Sequence, residues 1–250
     1  MKDDTDIGGG DGRFPPTQRS AVLAVRSADP VVRRRAYDTL IRSYWKPAYK
    51  YVRLKWGASD DEAKDLTQGF LTRAIEKGVF DQYDASRAAF RTYLRSCLDG
   101  YVFNERKAGG RLKRGGDRVV LSLDFVGAED EYRRGEPVDP RDPEAYFHRE
   151  WVRSVFAEAV EALRTALEGS GRAVHFALFE RYDLAGGKVE SKLTYETLAR
   201  EFALPVTQVT NYLAAARREF RGIVLEQLRA VTGNDTEFRD EARALLGTPV

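Results

Sequence analysis

Thr207, Gln208, Thr210 and Asn211 lie together at the start of one apolar helix pattern. Their side chains are of the kind that hydrogen-bond base edges and phosphates in a DNA major groove. They follow LTYETLAREFALP, which reads as a helix of about eight residues and a three-residue turn at Ala203-Leu204-Pro205. Leu198 and Ala199 fall inside that first helix, where a second helix crosses closely, and Val209 and Leu213 hold the second helix against it. Arg217 and Arg218 come about two turns later, where a phosphate backbone would pass. The whole is a helix–turn–helix pattern, with Ala203 where such turns usually carry glycine. A helical hairpin with a merely solvated polar face would give a similar pattern.

The second constellation is basic. Between Arg87 and Arg118 stand nine cations against three acids, with Phe90, Tyr93, Tyr101 and Phe103 interleaved and Phe80 and Tyr83 just before. Cations neutralise phosphates, and aromatic rings offer stacking platforms to unpaired bases. Phe90 and Tyr101 keep the spacing of a buried stripe and read as core; Phe80, Tyr83 and Phe103 fall off it, and either role fits them.

Catalysis finds little support. His148 and His175 sit inside helical patterns without a carboxylate pair or nucleophile at a diagnostic spacing, and Cys97 lies on an apolar stripe. No phosphate-binding loop, dinucleotide fingerprint or metal motif occurs, so no enzyme activity, cofactor or metal is expected.

These residues need helices to position them. Apolar residues recur at steps of three and four from Tyr37 to Trp56, behind an Asp29-Pro30 start and with Pro47 as an expected kink. Ser59 with Glu62 reads as a capping box opening a helix through Ala63, Leu66, Phe70 and Leu71. A further helix runs from Phe90 to Val102. From Pro143 the pattern resumes with Phe147, Trp151, Val155, Ala159 and Leu163, then the helix–turn–helix. The expected fold is all-α in two small domains: a flexible tail at 1–16, a four-helix domain at 17–107, a linker at 108–142 with at most one brief strand, a helix–turn–helix domain at 143–232 and an extension at 233–250. The extension carries Phe238, Ala242, Leu245 and Leu246 on one face, fitting either an internal lid on the helix–turn–helix domain or a disordered end.

The 250 residues carry a net charge of +2, which by itself argues against nucleic acid. Distribution reverses that argument. The basic stretch is offset by a linker with seven acids against three cations over 128–144 and by a first dozen residues with four acids against one lysine. One cysteine excludes an intrachain disulfide, and no window is apolar enough to span a membrane. The acidic, glycine-rich start is unlike a secretion signal, so a cytoplasmic protein is expected.

Taken in order, these motifs resemble an extracytoplasmic-function (group four) sigma factor of bacterial RNA polymerase over about residues 17–232. DEAKDLTQGF at 61–70 looks like the sigma2 segment that docks on the polymerase β′ clamp helices. FRTYLRSCLDGYVFNERK looks like the family's promoter-opening helix, VVLSLDF like the start of its linker, and the helix–turn–helix like its sigma4 domain. The resemblance implies a factor that binds core polymerase, through the β′ clamp helices and the β flap, and recognises and opens promoter DNA.

By that resemblance Asp61, Glu62, Asp65, Gln68 and Phe70 would contact polymerase. Phe80, Asp81 and Tyr83 would capture a flipped base, with Asn104, Arg106 and Lys107 at the DNA-facing end of the next helix. Thr207, Gln208, Thr210, Asn211, Arg217 and Arg218 would read duplex DNA. Lys64 and Gly69 stand where the family usually carries acids, and Gly100 and Asn104 where it carries Asn and Asp in the opening helix. The depleted docking face makes Thr67 a candidate phosphorylation site that would restore about two negative charges. A serine/threonine kinase or an anti-sigma factor would then be a regulating partner, with the free protein a monomer. The alternative is a sigma-derived helix–turn–helix regulator or adaptor with weak or switch-dependent initiation activity.

Overall fold

The structure, a computed structural model, describes residues 20–109, 121–135, 141–185 and 193–247. Every regular element among them is helical. The tail at 1–16, the Thr17 cap, Val119 and Val120 of VVLSLDF and four cations of the basic stretch (Arg111, Lys113, Arg114 and Arg118) lie outside the described residues.

A four-residue helix α1 (Ala21–Ala24) precedes α2 (Pro30–Lys55). The Asp29 carboxylate accepts from the Val31 amide at 2.8 Å, and α2 continues through Pro47 to its end. α3 (Asp60–Glu76) opens on Ser59, whose hydroxyl accepts from the Glu62 amide at 3.2 Å. The Glu62 carboxylate does not complete a capping box, because it pairs with Arg106 instead. A single 3₁₀ turn over Val79–Gln82 and a loop lead into α4 (Phe90–Lys107).

The expected linker contains a helix, α5 (Phe125–Arg134), capped by Asp124. It is fastened to α2 by charge. Glu129, 5% exposed, accepts from Arg53 Nε at 3.0 Å and Nη2 at 2.9 Å, and also from the Tyr49 hydroxyl and Arg133. Burial works against the Glu129 carboxylate, but these donors prevail and hold its pKa below the ordinary range. Burial and the same carboxylate push the Tyr49 hydroxyl up.

α6 (Pro143–Gly169) and α7 (Ala173–Phe179) follow, the latter closing in a π turn over Glu180–Leu184. α8 (Tyr195–Glu201) and α9 (Val206–Val231) form the helix–turn–helix, and α10 (Asp235–Leu246) is the last element.

The division into a core before 108 and a core after 142 is not what the packing shows. The largest apolar cluster joins Leu40, Tyr44, Phe70, Phe80, Phe90 and Leu94 to Trp151 and Val155 of α6, Val224 and Leu228 of α9, and Phe238 and Ala242 of α10. Tyr44 stacks on Trp151, with ring centroids 6.2 Å apart, and presses edge-on against Phe90 at 5.5 Å. Two smaller clusters belong to the second half alone. One holds Leu163, Leu167, Phe176, Phe179 and Ala216; the other holds Leu178, Leu198, Ala199, Val209 and Leu213. The amphipathic face of α10 is therefore docked, on the far part of α9, where Arg229 lies over the Phe238 ring and pairs with Asp235 at 2.8 Å, and at the same time on the start of α4 in the first half of the chain. Among the described residues, no helix is long and apolar enough to cross a membrane.

Candidate nucleic-acid and partner interface

The α8–α9 unit is built around its turn. Thr194 caps α8 by accepting from the Thr197 amide at 3.2 Å, and Leu198 and Ala199 are buried against Val209 and Leu213. At the other end Leu204 N–H donates to Ala199 C=O at 2.9 Å and Ala203 N–H to Arg200 C=O at 3.4 Å. That is the doubly bonded αL termination of a helix, and it puts Ala203 at φ +51°. Among the described residues Ala203 is the one non-glycine with positive φ, standing where the turn wants glycine.

With Val209 and Leu213 turned inward, Thr207, Gln208, Thr210 and Asn211 are exposed on the first turns of α9, as is Arg218 farther along. Val206, 39% exposed, extends this face at its start. Arg217 does not belong to it. Its guanidinium donates to both oxygens of Asp183, at 3.0 Å and 2.8 Å, donates to the Tyr195 hydroxyl at 3.3 Å, and lies over the Tyr182 ring. The Asp183 bonds push its pKa up further, and the residue serves to close α9 against the π turn. Asp183 is 34 positions away in sequence, so no local spacing signals this pair.

On α3, Asp61 and Asp65 are exposed, while Gln68 is half-buried and Phe70 is buried against Phe80 and Tyr101. Lys64 forms a 2.8 Å ion pair with Asp60, holding the Asp60 carboxyl below its usual pKa. Glu62 is taken by Arg106 at 2.9 Å, with that guanidinium lying over Trp56. Two residues that the resemblance gives to different ligands thus hold each other. Gly69 lies beneath Tyr101, where an added Cβ would come within 2.3 Å of the phenolic oxygen. An acid there would force the ring aside, which accounts physically for the missing charge.

Thr67 is fully buried and its hydroxyl has no hydrogen-bond partner. A kinase has no access to it in this packing, and a phosphate would be placed in the core. The candidate modification site is therefore corrected to a core position.

The flipped-base loop needs the same correction. Phe80 is 0% and Tyr83 3% exposed, and both rings pack against Phe90, at 5.5 Å and 5.1 Å. They are core side chains, not free platforms. Asp81 is exposed, with its carboxylate accepting from the Tyr37 hydroxyl at 3.0 Å. Among the described residues the exposed aromatic is Phe103, 57% accessible, on the stretch of α4 that also displays Asn104 and Lys107. A cleft of about 250 Å³ runs beside it between α3 and α4, lined by Phe70, Arg73, Tyr101 and Asn104. Cys97 also lines this cleft; burial raises its thiol pKa and keeps it protonated.

Among the described residues, no cluster of His, Cys, Asp and Glu is arranged to hold a metal ion. What the surface offers is a polar groove-sized helix face with a flanking arginine, an acidic patch on α3, and a basic end of α4 bearing one exposed ring. No family model, curated protein or solved structure matches the chain.

Proposed function

We propose that the chain is a sigma-type factor that binds core RNA polymerase and directs promoter recognition and opening, like the extracytoplasmic-function family it resembles. The observation that carries this reading is the α8–turn–α9 unit. Its αL turn and buried Leu198–Val209–Leu213 contact leave Thr207, Gln208, Thr210 and Asn211 facing outward together, with Arg218 placed for a phosphate. Asp61 and Asp65 supply an exposed acidic face for a polymerase contact, and Phe103, Asn104 and Lys107 a basic, aromatic one for an unpaired strand. An ordinary repressor has no use for these two.

A second reading, a sigma-derived regulator with switch-dependent initiation, is favoured by one group of contacts. Phe80 and Tyr83 are in the core, and Glu62 and Arg106 are bound to each other. Run-off transcription with purified full-length chain, core polymerase and its own upstream region separates the two. A promoter-dependent transcript is expected. Core binding without a transcript selects the regulator, and binding neither to core nor to DNA overturns both.

A further inference from the structure

The segment after α9 is stitched to the loop that precedes α4. Gly233 lies against Tyr83, so closely that an added Cβ would meet the ring at 2.5 Å. Asn234 Nδ2 donates to Ala85 C=O at 3.0 Å while its own Oδ1 caps α10, accepting from Glu237 N–H at 2.8 Å. The Glu237 carboxylate then bridges three donors: Phe90 N–H at 2.9 Å, Gly233 N–H at 2.8 Å and the Tyr83 hydroxyl at 3.3 Å. One turn on, Glu241, 5% exposed, forms an ion pair with Arg91, the guanidinium of which also lies over Trp151. Phe238 and Ala242, each next to one of these acids in sequence, are buried in the large core.

The chemistry of the contact is one-sided. α10 presents Glu237, Asp240 and Glu241 along the cleft it forms with Ala85, Ala88, Ala89 and Arg91. Facing it is the start of the most basic stretch of the chain. Arg91 and the Phe90 amide are satisfied by carboxylates, and the rest of the acidic face repels any phosphate approaching the loop.

We propose that α10 is an intramolecular latch that keeps single-stranded DNA off the 83–91 loop and Arg91, and that it leaves before that surface binds a strand. This rests on the DNA-binding reading above and adds to it that the free chain is self-inhibited. The contact suits a removable element. Most of its affinity is a few charge-assisted hydrogen bonds and one apolar helix face, all contributed by twelve residues at the end of the described chain.

The test uses the full chain and a fluorescent single-stranded oligodeoxynucleotide, titrated at two salt concentrations. Three proteins are compared: the parent, Glu237→Ala/Glu241→Ala, and a locked form. The lock joins Ala88→Cys to Thr236→Cys with a bismaleimide in a Cys97→Ala background. The released variant is expected to bind the strand at least tenfold more tightly, with a steeper salt dependence. The locked form is expected to bind no better than the parent, and duplex binding through α9 to be the same in all three. Should the double variant fail to fold, Glu241→Gln alone is expected to shift strand affinity in the same direction by a smaller factor. Equal strand affinity in released, locked and parent proteins, with duplex binding intact, overturns the latch and leaves the DNA reading standing. Absence of any DNA binding in all of them overturns both.

Discussion

Lys50 Nζ lies 2.6 Å from Glu150 Oε2, with the two side chains 4% and 2% exposed, and this pair ties α2 to α6 across one hundred residues of sequence. Glu131 of α5 approaches the same ammonium at 2.8 Å and Arg153 approaches Glu150, so three helices converge on one buried charge cluster. Removing one member strands the other in a desolvated site. Lys50→Met is therefore expected to cost about 3–5 kcal/mol in urea unfolding. Lys50→Met/Glu150→Met should recover most of that loss, since an apolar pair of similar volume restores the balance. A double variant no better than the single one would show that the cluster does not act as a unit.

Arg217 and Arg218 are adjacent in sequence and are expected to fail in different assays. Arg218 is exposed beside the polar face of α9, so Arg218→Ala should weaken duplex binding about equally for all sequences and lower the salt slope by about one. Arg217 is bound to Asp183 and Tyr195, so Arg217→Ala should mainly lower thermal stability, by about 1–2 kcal/mol. Parallel melting curves and salt-dependent DNA titrations of the two variants decide the assignment. Equal salt-slope losses would return Arg217 to the interface.

The helices that bring the polar face of α9 together could be read locally because their signals are local. Asp29-Pro30, Ser59 and the three- and four-residue apolar steps announce their own helices, and Ala203 marked the turn even without a glycine. What escaped was settled by distant partners. The ten residues of α5 form a mixed-charge stretch whose helix is secured by Arg53 and Tyr49, 76 and 80 positions away. Phe80 and Tyr83 leave the local apolar stripe, so the sequence leaves a core and a stacking role equally open, and the core that buries them is completed by Tyr37, Phe90 and α10. Lys50 shows the same limit from the opposite side, a charged residue in the core that only a partner one hundred positions away could justify.

Glu158, on α6 beside Ser43 of α2, is expected to give the fold a pH dependence. Burial raises its pKa to about 7, against partial relief from Arg42, the Ser43 hydroxyl and Lys46. In the unfolded chain the carboxyl ionises near its ordinary value of 4.5. The folded state thus holds a proton that the unfolded state releases between these values. The contribution is fully present below about pH 4.5 and is lost as pH rises through 7. Unfolding free energy should fall by about 3 kcal/mol across that window from this group. Glu158→Gln should flatten the decline when both proteins are titrated with urea from pH 5 to 8. An unchanged slope would show that Glu158 ionises normally.

Ala203 holds a left-handed backbone that costs an L-residue about 1–2 kcal/mol. Glycine removes that strain but adds about 0.5–1 kcal/mol of unfolded-state entropy. Ala203→Gly is expected to stabilise by up to about 1 kcal/mol, a rise of about 2–4 °C in Tm for a chain of this size. Duplex affinity should stay unchanged, because Thr207, Gln208, Thr210 and Asn211 keep their placement. A lower Tm would mean that the turn is not formed as described.

Thr67 offers the sharpest contrast between a surface and a core role. Its hydroxyl is buried without a partner, so the fold already bears the cost of desolvating it. Thr67→Val keeps the branched shape and removes the unsatisfied group, and is expected to be neutral or stabilising by about 1 kcal/mol. Thr67→Asp places a carboxylate in the same site and should destabilise by about 3 kcal/mol or more, or prevent folding. If Thr67 were instead an exposed docking residue, both variants would melt within about 0.5 kcal/mol of the parent, and Thr67→Asp would differ from Thr67→Val only in polymerase binding. Thermal melts of the pair, followed by binding assays on whichever folds, separate the two outcomes.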